Sequence, residues 1–276
     1  MTILVTGARG AIARCVVDTL HAAGAPVRAA SRKPEDTTAP DGVDVVDFDP
    51  ARPDTLAPAM DGVHTLFVYA EPNGIDDVLT TARTAGIEHI VLLSSLAAAT
   101  PEMLDNPIAE HHLGAERPIA ASGIPWTFVR PGMFATNALW WAPSIRATGT
   151  VALYHPDAHV TPTHERDIAD VAVHAITQPG QYGKAYLMNG PESLTQRQQV
   201  ELIAAASGRE ITIDELTRER AAERLPEAVL DLVEQTDDVP QPTGPTIEEI
   251  IGRAPRTFAT WARDHAHEYL SASPKL

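Results

Sequence analysis

The residues with the clearest chemical meaning form an octapeptide near the amino end, Thr6-Gly7-Ala8-Arg9-Gly10-Ala11-Ile12-Ala13. It follows a short apolar run and opens a stretch with apolar residues at helical spacing. Gly7 permits a tight turn. Gly10 keeps a side chain out of the space that a diphosphate needs, and amides at the start of the helix, around Ala11 and Ile12, face the anion. Ala13, at the third position of the pattern, is small enough for close helix–strand packing. A lone glycine pattern is weak evidence, but a strand before it and a helix after it make this one a dinucleotide fingerprint.

A second group stands at the end of the next apolar run. Sites for the dinucleotide without a 2'-phosphate usually place Asp or Glu there, on the ribose hydroxyls. This chain has Ser31, Arg32 and Lys33. Two cations and no carboxylate suit a 2'-phosphate, with Arg9 of the glycine loop as a further contact. The expected cofactor is therefore NADP(H). The bland alternative makes Arg32 and Lys33 solvated loop charges.

A third group could move a proton. In the helical stretch 109–117, His112 stands one turn before Glu116 on the same face. A histidine can donate a proton near neutral pH. His111 is the register alternative, and a plain exposed helix histidine is the other. The Tyr-x-x-x-Lys pair of many dehydrogenases is absent: none of the three lysines, Lys33, Lys184 and Lys275, follows a tyrosine by four positions. His155, His159 and His164 lie among Pro156 and Pro162 without regular spacing, so no metal site is expected. Trp140, Trp141 and Tyr154 could wall a pocket for an aromatic substrate, or pack a smaller region. Arg218, Arg220 and Arg224, interleaved with Glu219 and Glu223, read as a solvated face.

These groups need a scaffold that gathers strand ends. Apolar runs at 2–6, 26–30, 43–48, 64–70, 89–95, 126–131 and 185–190 alternate with helical stretches. Several are continuous, as in strands covered on both faces. The expected fold is α/β, a Rossmann-type doubly wound parallel sheet with a smaller, mainly helical C-terminal substrate region. Residues 1–131 form the dinucleotide-binding domain, with a later strand near 184–190 added to it. Residues 132–276 are mainly substrate-binding. Either Glu165 or Asp167 begins a helix, and 193 onward reads as helical with breaks near 208 and across 237–245.

With 44% apolar residues the chain can bury a real core, and its net charge of -16 disfavours nucleic acid and anionic membranes as partners. The lone Cys15 excludes an internal disulfide and fits a reducing, cytoplasmic setting. No apolar run is long enough to span a membrane. Nor does the start read as an export signal. The expected partner is a small molecule, and homo-oligomerisation is left open.

Taken together, the segments "TGARGAIA", "ASRKPE", "VDFDPARPDTLAPAMDGVHTLFVYAEP", "AGIEHIVLLSS", "AASGIPWTFVRPGMFATN" and "RDIADVAVHAI" resemble the NmrA-like group of atypical short-chain dehydrogenases/reductases, which includes NADPH-dependent quinone oxidoreductases. The resemblance runs on through "GKAYLMNGPESLT" and "TIEEIIGRAPRTFATWARDH". It implies that Asp47 and Phe48 lie beside the adenine, and that Tyr69, Ala70, Glu71 and Pro72 pass near the ribose and pyrophosphate. Ser94, Ser95, Pro131, Gly132 and Phe134 would line the nicotinamide pocket, and His112 falls roughly where relatives carry a pocket-facing lysine or histidine. Core packing is the rival role for Phe48 and Phe134. The implied activity is NADPH-dependent hydride transfer to a small carbonyl, enone or quinone. The alternative is a non-catalytic NADP(H)-sensing regulator; a nucleotide-sugar epimerase is disfavoured by the missing Tyr/Lys pair.

Overall fold

The computed structural model describes residues 1–103 and 106–270. The chain forms two compact units. One comprises Met1–Pro131 and Glu165–Met188; the other comprises Gly132–His164 and the chain from Asn189 onward.

The first unit runs β1 (Thr2–Val5), α1 (Ala11–Ala22), β2 (Val27–Ser31), β3 (Asp44–Asp47), α2 (Leu56–Met60), β4 (Val63–Tyr69), α3 (Ile75–Ala85), β5 (His89–Leu93), α4 (Pro107–Ala121), β6 (Trp126–Pro131), α5 (Glu165–Thr177) and β7 (Lys184–Met188). All seven strands are parallel, in the order β3-β2-β1-β4-β5-β6-β7. The order grows outward in opposite directions from β1 and β4. That reversal opens a crevice at the carboxyl ends of the strands, where such sheets bind ligands.

Strand alternation explains the two-sided cover. Leu4, Leu66, Val68, Ile90 and Leu92 enter one apolar core with residues of α2, α3 and α4. Their neighbours Ile3, Val5, Phe67 and Val91 are also buried, and alternation turns them to the other face. There α1 and α5 pack together. This is why the continuous apolar runs are strands of a fully covered sheet. It is also why 165–188 returns to the first unit: α5 packs on α1, and β7 pairs with β6. The reading of 132–276 as a separate region, with only a strand near 184–190 added back, therefore omits helix α5.

The second unit has short paired strands, Thr150–Leu153 with Thr212–Glu215 and His159–Val160 with Leu194–Thr195. Its main helices are Ala142–Thr148, Gln196–Ser207, Glu227–Gln235 and Phe258–Asp264. Ile145, Val151, Ile203, Phe258, Trp261 and Tyr269 fill its core. The strand Thr212–Glu215 falls in a stretch that periodicity reads as helical. Among the described residues no helix is long and apolar enough to cross a membrane.

Candidate active site

The glycine loop joins β1 to α1. Gly7 has φ +67, and its carbonyl accepts from the Gly10 amide at 2.8 Å, which closes the turn. Beneath the loop lies the ring of Tyr69, the last residue of β4. A Cβ on Gly7 would stand 2.7 Å from that ring, and one on Gly10 would stand 3.1 Å from its hydroxyl. Close packing of the protein on itself therefore demands small residues here, in addition to any demand from a diphosphate. The Tyr69 hydroxyl accepts from the Ala13 amide at 3.2 Å. Gly10, at the N-cap, has no side chain to cap the helix itself. Among the described residues, the Ala11 and Ile12 amides are then the first-turn donors without an acceptor in the chain, and the positive end of the helix dipole adds to them. This cradle fits a diphosphate.

Beside the cradle, Ser31 is buried at the end of β2, and its hydroxyl accepts from the Lys33 amide at 3.1 Å. That bond bends the chain outward and leaves Arg32 and Lys33 exposed, as Arg9 is. None of these three cations forms an ion pair among the described residues, whereas Arg52, Arg130, Arg197, Arg218 and Arg220 do. On the next strand the Asp47 carboxylate holds Arg52 at 2.7 Å. Phe48 is 5% exposed and belongs to the apolar core. Its ring therefore packs in the core, the rival role to lying beside the adenine.

The loop after β4 meets α4. The Ala70 carbonyl bonds His111 Nε2 at 2.9 Å, and Gly114 lies close enough to Pro72 that a Cβ would stand 3.1 Å from its ring. Glu71 accepts from the Asn73 backbone and side chain. His111 is therefore engaged, while the Nδ1 of His112 is buried with no partner among the described residues. Burial and the neighbouring His111 hold the His112 imidazole below its ordinary pKa, and Glu116 pushes the other way. Glu116 is no proton relay: both its oxygens are taken by Arg130, at 2.8 and 2.5 Å. At the end of β5, Ser94 is fully buried and its hydroxyl has no partner, whereas Ser95 accepts from the Ala97 amide at 3.2 Å. Tyr69, with its pKa raised to about 12 by burial, lacks the lowered pKa a dehydrogenase tyrosine needs. Lys184 bonds Gln181 at the amino edge of the sheet, and Lys275 lies outside the described residues.

Pro131 ends β6. In the second unit, the chain from Gly132 is held by Thr163, whose amide donates to the Met133 carbonyl and whose carbonyl accepts from Ala135. Phe134 lies at that bridge, half-buried. Trp140 is 77% exposed, and Trp141 packs partly on the unit's core. Tyr154 is buried against Leu216, Ala221 and Leu230, with its hydroxyl donating to Glu234. Both its ring and its hydroxyl are used structurally, so it is withdrawn from the aromatic wall. Arg218 is likewise no solvated charge: it gathers Glu227, Asp231 and Glu234. The three histidines take separate partners: His155 holds Asp237 at 2.7 Å, His159 bonds Ser193 at 3.1 Å, and His164 faces Asp264 at 3.5 Å.

Arg130 and the packing role of Tyr69 were not evident from the sequence. Their partners are 14 and 56 residues away, beyond any local pattern.

Comparison with known proteins places the chain among NAD(P)H-binding reductases. Residues 7–179 match the NAD(P)H-binding family. The chain is 38% identical, over 97% of its length and 99% of the relative's, to the (4-alkanoyl-5-oxo-2,5-dihydrofuran-3-yl)methyl phosphate reductase of Streptomyces griseus subsp. griseus. It is 32% identical to the NAD(P)H azoreductase of Xenophilus azovorans, over 98% and 100% of the two chains. The NADPH-dependent quinone oxidoreductase structure from Escherichia coli superposes with a TM-score of 0.75 at 25% identity, covering 96% of this chain and 99% of that one. The chain therefore belongs to the NAD(P)H-binding family, among the NmrA-like oxidoreductases that its sequence resembles, and it is an NAD(P)H-dependent oxidoreductase.

Proposed function

We propose that this protein uses NADPH to reduce a small, electron-poor conjugated acceptor, an enone or a quinone. The observation that carries the cofactor choice is the preformed cradle of Gly7–Ala13 flanked by three unpaired cations, Arg9, Arg32 and Lys33. The backbone amides of Ala11 and Ile12 hold the diphosphate. Arg32 and Lys33, with Arg9, hold the 2'-phosphate. NADPH, when bound, supplies the hydride. His112 supplies a proton to the oxygen of the acceptor from its ring nitrogen, and Ser94 offers a hydroxyl at the end of β5.

The acceptor class rests on what the relatives' names share. The Streptomyces enzyme's substrate is an acylated unsaturated lactone, and the others take an azo group or a quinone. Each is a conjugated, electron-poor group. Use of NADPH and a single thiol fit a reducing cytoplasm.

The test is NADPH oxidation, followed by absorbance, with an acylated butenolide, a naphthoquinone and a simple enone. Turnover with at least one is expected, and His112→Ala should lower kcat by about a hundredfold with NADPH affinity unchanged. Tight NADPH binding without oxidation by any acceptor would favour a sensor instead. An unchanged kcat in His112→Ala would remove the histidine from the chemistry.

A further inference from the structure

Arg130 and Glu116 form a two-point ion pair inside the first unit, with side-chain exposures of 17% and 4%. Arg130 is the penultimate residue of β6, and its guanidinium also stands 5.7 Å from the centre of the Phe128 ring. Glu116 is on α4, one turn after His112. The pair thus ties the helix that carries His112 to a strand that ends at the crevice. A buried ion pair contributes little net stability, because desolvating both charges offsets their attraction, and apolar pairs often serve a fold as well. Its presence here asks for another reason.

The polarity of the pair offers one. The charged groups acting on the His112 ring are His111 and Glu116 of its own helix, and Arg130 from β6 is bound to both oxygens of Glu116. Burial disfavours the imidazolium, His111 disfavours it further, and the carboxylate favours it. Had the cation been placed on α4 and the carboxylate on β6, the same attraction would link the two elements while the nearer charge repelled the imidazolium. We propose that Glu116 and Arg130 are a positioning pair whose polarity, carboxylate on α4 and guanidinium on β6, keeps His112 competent as a proton donor. This rests on the reading of His112 as the donor to substrate.

The deciding variant is the double reversal Glu116→Arg with Arg130→Glu, compared with Glu116→Arg alone and with the near-isosteric Glu116→Gln. Four quantities are read: Tm, NADPH affinity, kcat, and the NMR titration of the His112 ring, assigned by its loss in His112→Gln. The reversal should recover the Tm lost in Glu116→Arg and bind NADPH as the parent does. Its His112 should titrate roughly one pH unit lower, and kcat at pH 7.5 should fall on the order of tenfold, since one unit is a tenfold change in the protonated fraction. Glu116→Gln should move the same two quantities in the same direction by less. A reversal that restores Tm and full kcat, with His112 titrating as in the parent, would overturn the proposal and leave the pair a structural link. If the reversal does not fold, Glu116→Gln decides: an unmoved titration overturns the proposal. His112→Ala separates the two ideas, because an unchanged kcat there refutes the donor role, whereas the titration reports the effect of the pair on the ring.

Discussion

The two edges of the parallel sheet treat buried polar groups differently. At the amino edge, His89 begins β5 and is 3% exposed. Its Nε2 lies 2.9 Å from the Thr127 hydroxyl, which donates to the Gln181 carbonyl at 2.8 Å. The Thr127 proton is thus committed, so its oxygen accepts from His89, and Nε2 carries the proton of a neutral ring. At the carboxyl edge, the Ser94 hydroxyl and the His112 Nδ1 are buried with no partner among the described residues. The amino edge is not perfectly closed, since the Thr65 hydroxyl beside His89 is also unpartnered. Even so, the histidines differ in kind: one has its proton assigned by a chain of bonds, and the other keeps a nitrogen open. Buried polar atoms cost stability when unpaired. An edge that keeps them open beside a phosphate cradle keeps capacity for a ligand.

The largest expected effect tests the closed edge. Burial holds the His89 pKa down to about 4 from 6.5. The unfolded chain therefore takes up a proton first as the pH falls. The stability is whole above pH 6.5, declines between 6.5 and 4, and is flat in this respect below, a loss of about 3 kcal/mol. Urea unfolding at pH 7.5 and 4.5 should show a steeper acid loss in the parent than in His89→Gln. Equal slopes in the two proteins would break the account of this edge.

Next comes the cofactor side of the open edge. Arg32→Asp removes a guanidinium from the 2'-phosphate and places a carboxylate near the ribose hydroxyls. The ratio of NADPH to NADH affinity should fall on the order of a hundredfold, consistent with charge-assisted bonds of about 1.5–3 kcal/mol. Calorimetric titration with both dinucleotides measures it. A parent protein that binds the two equally would end the assignment of Arg32.

The smallest effect concerns the floor of the cradle. Tyr69→Phe keeps the ring under Gly7 but removes the acceptor of the Ala13 amide. A loss of about 1 kcal/mol is expected in urea unfolding. No loss would show that the phenol does not cap the helix.

Much of this was legible in the residues. The glycine pattern, the continuous apolar runs and the cations after β2 are local signals, and periodicity carries them. Strand β6 is read to the residue, at 126–131. What escaped depends on partners far along the chain. Phe48 reads equally as ligand contact or core, and only its packing against α2 and its neighbours decides. Tyr154 and Arg218 are 64 residues apart from each other in numbering and share Glu234 from a third segment. Arg218 looks solvated because it alternates with Glu219 and Arg220, and nothing local shows three carboxylates converging on it. The strand Thr212–Glu215 carries two acids in four residues and gains its place by pairing with Thr150–Leu153.

The ring beneath the glycine loop also has an evolutionary consequence. Gly7 and Gly10 look like equal members of one pattern, yet their freedom to drift differs. Gly7 is bound by its own backbone, since φ +67 disfavours any side chain whatever lies below. Gly10 has φ -77, open to every residue, and a Cβ there would meet the Tyr69 hydroxyl at 3.1 Å and the Gly7 carbonyl at 3.2 Å, of which only the first can be lost by substitution at 69. Positions 10 and 69 are therefore epistatic: alanine at 10 should be better tolerated in a lineage that has already lost the phenol at 69, and position 7 should show no such dependence on order.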